Sequence, residues 1–100
     1  MNDLEFIQNV RRSYNTEIKP AFEEGRPTLP NDMLNLVLLL EIDGFERLHR
    51  YHSGDSLIAW AKVMDETIRG KKPITETQMQ TLEMYLGQVE ISVKTGNVYW

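Results

Sequence analysis

This sequence predicts an all-α domain, a compact bundle of about four helices with short connections. Three observations carry that expectation. Apolar residues recur at spacings of three and four in separate stretches. Breaks rich in glycine or proline divide those stretches at 25–30, 53–54 and 70–73. A helix-start signature stands at Thr75 and Gln78. With 100 residues, the chain is expected to form a single helical domain over 1–100. The alternative fold keeps the helices but ends in a small C-terminal β-hairpin.

In the first stretch, Leu4, Ile7, Val10, Tyr14 and Ile18 lie 3, 3, 4 and 4 residues apart, the period of one helix face. Asp3 and Glu5 suit the positive end of its dipole. Pro20 is expected to end or kink this helix, because it lacks an amide hydrogen and disfavours helical geometry at Lys19. Ala21 to Glu24 adds at most one turn before Gly25.

The second helix is expected from about Asp32 to Tyr51, with Leu34, Val37, Leu38, Ile42, Phe45 and Leu48 as its buried stripe. Leu36 and Leu40 lie off that stripe, so the helix is apolar over more than half its circumference. Such a helix is buried on several sides or meets a partner. A third helix, from about Ser56 to Arg69, follows Ser53-Gly54, with Ser53 or Asp55 as its cap and Gly70 as a left-handed stop. Leu57, Ala61, Met64 and Ile68 form its stripe, with Trp60 beside it.

The fourth helix has the clearest start. Thr75-x-x-Gln78 is a capping box, and Ile74 and Met79 flank it as a hydrophobic staple. Met79, Leu82, Leu86, Val89 and Val93 then repeat at 3, 4, 3 and 4. The rival hairpin rests on the alternation of Val89-Glu90-Ile91-Ser92-Val93, turned by Thr95-Gly96-Asn97 towards Val98, Tyr99 and Trp100. Its return strand would be very short. Leu38, Ile42, Phe45, Ala61, Met64, Leu82, Leu86 and Val89 are the expected core.

Composition excludes several function classes. The chain has no cysteine, which removes disulfides, thiolate metal sites and cysteine nucleophiles. Its net charge of −4 opposes a general nucleic-acid role. The longest apolar run, Leu36 to Leu40, closes at Glu41, far short of the roughly 20 residues of a membrane span. No export signal is visible, and a cytoplasmic protein is the expectation.

Candidate chemistry is sparse. His49 and His52 are three apart at a helix end, with Asp55 near, and form a candidate metal site. A histidine at a helix C-terminus also suits the dipole for purely structural reasons. The serines lack a nucleophile-elbow context, and Gly70-Lys71-Lys72 lacks the spacing of a phosphate loop. An enzyme is not expected, nor is any cofactor. Residues 53–72 carry Lys62, Arg69, Lys71 and Lys72 against Asp55, Asp65 and Glu66, a net-basic stretch in an acidic chain. Ile74-Thr75-Glu76-Thr77-Gln78 followed by Leu82 resembles the first helix of bacterial response-regulator DNA-binding domains, but no basic recognition helix follows it. Arg69, Lys71 and Lys72 therefore define the alternative function, a DNA-associated regulator, and a metal-dependent activity at His49 and His52 comes third.

The leading expectation is binding to another protein, with a homodimer included. The apolar surplus of the second helix and the aromatics Trp60, Tyr99 and Trp100 are its candidate anchors, because aromatic side chains bury large areas at small entropic cost. Short acidic chains without catalytic motifs are common among accessory proteins of bacteria and their phages. A small regulator, adaptor or inhibitor is accordingly expected.

Overall fold

The chain turns helical at Asn2, whose side-chain oxygen accepts from the Glu5 amide at 2.8 Å. From this cap the computed structural model, which describes residues 1–98, carries helix α1 through residues 3–24. It comprises Asp3–Ser13, a π-helical turn Tyr14–Ile18, and Lys19–Glu24. Pro20 thus fails to end the helix. In the wider turn before it the Lys19 amide reaches back to the Tyr14 carbonyl, giving the proline ring room that a regular α turn denies. Gly25, at φ +65°, does end it, with Arg26 donating to Ala21 at 2.9 Å in a Schellman closure.

Helix α2 spans residues 29–48 as Leu29–Leu39, a second π-helical turn Leu40–Gly44, and Phe45–Leu48. It starts ahead of Asp32 because Pro30 fits the first turn, where no amide partner is required. It stops short of Tyr51. Its buried residues are Met33, Leu36, Val37, Leu40, Gly44 and Leu48. This corrects the expected stripe, since Ile42 is 64% and Phe45 49% exposed, and Leu38 is only half-buried. An added residue in the π turn rotates the residues after it, and the inward position falls on Gly44. A Cβ at Gly44 would lie 3.3 Å from Leu40 and 3.4 Å from Ile58, so its smallness lets the next helix pack close.

Helix α3 is Gly54–Arg69. Neither Ser53 nor Asp55 caps it as expected: the Ser53 side chain makes no cap bond, and its hydroxyl donates to Gln88 at 2.8 Å. Asp55 lies inside the helix. Gly54 is required for contact rather than for φ, because a Cβ there would sit 1.8 Å from the Leu48 carbonyl oxygen. Gly70 has φ −79° and is not the left-handed stop; that conformation falls on Lys71, at φ +56°. The Lys71 and Lys72 amides close the helix on Ile68 and Thr67, each at 3.0 Å.

Helix α4, Glu76–Thr95, begins with the capping box read from the sequence. The Gln78 amide donates to Thr75 Oγ1 at 3.2 Å, and the Thr75 amide to Gln78 Oε1 at 2.9 Å. Met79 is buried and Ile74 packs against the core, as the staple requires. The hairpin alternative fails, because Leu82, Leu86, Val89 and Ser92 are buried at helical spacing and the helix runs on to Gly96. Val98 instead forms an isolated antiparallel bridge with Tyr51.

Contacts between helices fix an up-down-up-down bundle. Asp3, at the start of α1, accepts from Arg50 at 2.8 Å and from the Tyr51 hydroxyl at 2.9 Å, just past the end of α2. Arg11 meets Glu90, while Tyr14 and Lys19 both meet Glu83, so α1 and α4 run antiparallel. Ala61, Met64, Leu82, Leu86 and Val89 are buried as expected. Among the described residues no buried side-chain nitrogen or oxygen lacks a partner, and no helix is long and apolar enough to cross a membrane.

Candidate interaction surface

The π turn of α2 decides which apolar side chains remain outside. Leu39 (39% exposed), Ile42 and Phe45 follow at steps of three along the outer half of the helix. Leu39 borders a recess of about 330 Å³ with Met1, Phe6 and Val10 of the α1 side. Phe45 lines a shallower hollow of about 150 Å³ with Ile58, Ala59 and Lys62 of α3. Ile42 stands between them, so the exposed band reaches from the α1 seam to the α3 seam. Phe45 is held rather than loose: the His49 ring stacks on it at 5.0 Å and 18°, with His49 Nδ1 2.7 Å from the Phe45 carbonyl.

On α2 the band is bordered by exposed Asp43 and Glu46, while Arg47 beside the Leu39 recess is engaged by Asp3 and Lys62 of α3 lies at the Phe45 hollow. Glu41, also on α2, has its carboxyl pushed above the ordinary range by burial and then by its hydrogen bond and proximity to Asp65, with Lys62 and Arg69 opposing. On the opposite side of the bundle, Glu83 joins α4 to α1. The hydrogen bond from Tyr14, 2.7 Å long, and Lys19 at 3.3 Å hold its carboxyl below the ordinary range, while burial opposes. Burial first, and Glu83 second, pushes the Tyr14 hydroxyl far above the usual tyrosine range.

The sequence-derived candidates are dispersed. His49 and Asp55 share the hollow beneath Phe45, but His52 does not line it, and the His52 amide donates to Asn97 at 3.1 Å. Among the described residues no three histidine, aspartate or glutamate side chains gather as a metal site would need. Trp60 is 7% exposed, with Nε1 donating to the Gln78 carbonyl at 3.1 Å, so the α3 indole packs as core against α4. Tyr99 and Trp100 lie outside the described residues. Arg69 is engaged by Asp65 one turn back, whereas Lys71 and Lys72 flank a different feature, a cleft shared with Arg26.

Sequence reasoning missed the exposure of Ile42 and Phe45 and the pairing of loop 25–30 with loop 70–74. The surplus of apolar residues around α2 signalled that some face would stay open. Which face depends on the π turn, which periodicity does not show. Comparison with protein-family models, curated proteins and solved structures gives no match to this chain.

Proposed function

We propose that this protein works by binding another protein through the outer face of α2, as a small regulator, adaptor or inhibitor. The observation that supports it is the band of Leu39, Ile42 and Phe45 left outside by a helix whose inner face is already fully packed. Phe45 is the natural anchor, because an aromatic side chain pinned by a stacked neighbour loses little rotamer freedom on burial. The acidic border of Asp43 and Glu46 favours a partner surface that is apolar at its centre and basic at its edge. A second copy of the chain would oppose like charges along the same helix, so a different protein fits better than a homodimer. A cytoplasmic location belongs to the same proposal and rests on the cysteine-free sequence.

The test is the double substitution Ile42→Ser with Phe45→Ser. Ile42 is the more exposed, so its substitution should stay near or below about 0.5 kcal/mol. Phe45, half-covered and stacked on His49, should cost about 1 kcal/mol, too little to unfold the domain. Retention of the protein's partners should be lost. Partners retained in full by a folded double variant would refute the proposal. A mass of two chains in sedimentation equilibrium, reduced to one by the substitutions, would assign the face to self-association instead.

A further inference from the structure

We infer that the cleft between loop 25–30 and loop 70–74 is a binding site for a small dissolved amphiphilic carboxylate, a molecule with an apolar body and one anionic head. The cleft measures about 530 Å³ and lies within the size range of small-molecule sites. Leu29, Ile68 and Ile74 line it together with Pro27, Pro30 and Pro73, whose fixed φ limits backbone movement around the recess. Arg26, Lys71 and Lys72 stand around it. No acidic residue lines it, in a chain of net charge −4.

The cations decide the sign of the ligand. Arg26 is matched by Glu24, but among the described residues neither Lys71 nor Lys72 takes part in an ion pair. The C-termini of α1 and α3 and the N-termini of α2 and α4 all meet at this end of the bundle, so their dipoles largely oppose one another. The carbonyls of Ala21 and Thr67 are already taken by Schellman amides. Two uncompensated lysines then remain to attract an anion. Lys71 occupies a left-handed position that glycine would adopt without strain, and it nonetheless carries a cationic side chain among the residues lining the cleft. A nucleic-acid backbone needs several cations tracking one face, whereas here two lysines border an apolar recess. A single head group with an apolar body matches both features. The site shares no lining residue with the α2 band, so it stands or falls separately from the protein-binding proposal.

Octanoate is the probe, titrated at low salt while the NMR signals of the Leu29, Ile68 and Ile74 methyl groups are followed. The expected result is saturable shifts at these three residues with a Kd below about 1 mM. Octanol and octylammonium should bind about tenfold more weakly or not at all, the charge-assisted contact being absent or reversed. Lys71→Gly and Lys72→Gln should each weaken octanoate about fivefold. Lys71→Gly must do so without lowering the melting temperature, which separates lost binding from lost folding. The inference is overturned by shifts scattered over the surface, by octanol binding as tightly as octanoate, or by wild-type affinity in both variants. Binding to phosphatidylglycerol vesicles without binding of free octanoate would overturn it as well, and would assign the lysines to a lipid surface.

Discussion

Lys71 and two glycines show how a single backbone position sets energy in this chain. Lys71 sits at φ +56°, where a side chain costs on the order of 1 kcal/mol relative to glycine. Lys71→Gly is therefore expected to raise stability by about that amount in a denaturant melt, even as it weakens anion binding. Gly54 behaves in the opposite sense. A methyl group there would collide with the Leu48 carbonyl, so Gly54→Ala should cost more than about 2 kcal/mol. Gly87 faces open space within α4, and Gly87→Ala should stabilise by about 0.5–1 kcal/mol through helix propensity alone. The sequence marked Ser53-Gly54 as a break and Gly70 as a stop, and both regions are helix boundaries. It did not show that Ser53 and Lys71 carry the left-handed conformations, because that depends on where each helix closes, one residue away from the obvious glycine.

Helices α3 and α4 were legible because their apolar stripes keep a regular period and α4 opens on a capping box. Thr75→Ala should cost roughly 1 kcal/mol and Thr75→Ser much less, since the hydroxyl acceptor is retained. Helix α1 was legible in phase as well, since Ile7, Val10, Tyr14 and Ile18 are buried and Leu4 packs against them. Helix α2 was legible in existence but not in phase. Each contains a π turn, but only in α2 does it move the inward face off the residues that a 3.6-residue pattern selects. In α2 the inward residue is Gly44, which carries no hydrophobic signal, so the spacing of the apolar residues assigns Ile42 and Phe45 to the core instead. Leu40→Ala and Ile42→Ala separate the two phases. Leu40 is fully buried, and its truncation should cost about 2–5 kcal/mol, against less than about 0.5 kcal/mol for Ile42. Pairing of α1 with α4 is pH-dependent through Glu83 and Glu90. Partner hydrogen bonds lower both carboxyls, from Tyr14 to Glu83 across the helices, and to Glu90 first from Lys94 on its own helix and then from Arg11 of α1. A lowered folded-state value means stability that is complete above the ordinary carboxylate range and is lost as pH falls through and below it. Glu83→Gln should accordingly lower the melting temperature at neutral pH, and that deficit should shrink progressively as pH falls below the ordinary carboxylate range. Glu41 acts in reverse, since its raised carboxyl favours the folded state at low pH and loses that contribution as pH rises.

As a whole, the molecule is an antiparallel bundle about 40 Å long with two chemically distinct surfaces. The apolar band with acidic borders lies along α2, and the basic cleft lies where loops 25–30 and 70–74 meet. Because Arg69 is held by Asp65, the basic residues do not form a continuous track, and duplex DNA should bind weakly or not at all at about 0.15 M salt in a mobility-shift assay. The bundle class was legible from helix count and short connections. The α2 band was hinted at only by the excess of apolar residues around that helix, since a surface is a property of packing between elements far apart in sequence. The most direct test of the central claim is site-specific photocrosslinking from position 45 in living cells, with position 91 as the control. Ile91 is also exposed and apolar but lies on α4. The account expects one discrete crosslinked product from position 45, mapped to an apolar face bordered by lysine or arginine, abolished by Ile42→Ser and absent from position 91. The same products from both positions, or none from position 45 while complexes persist, would contradict it.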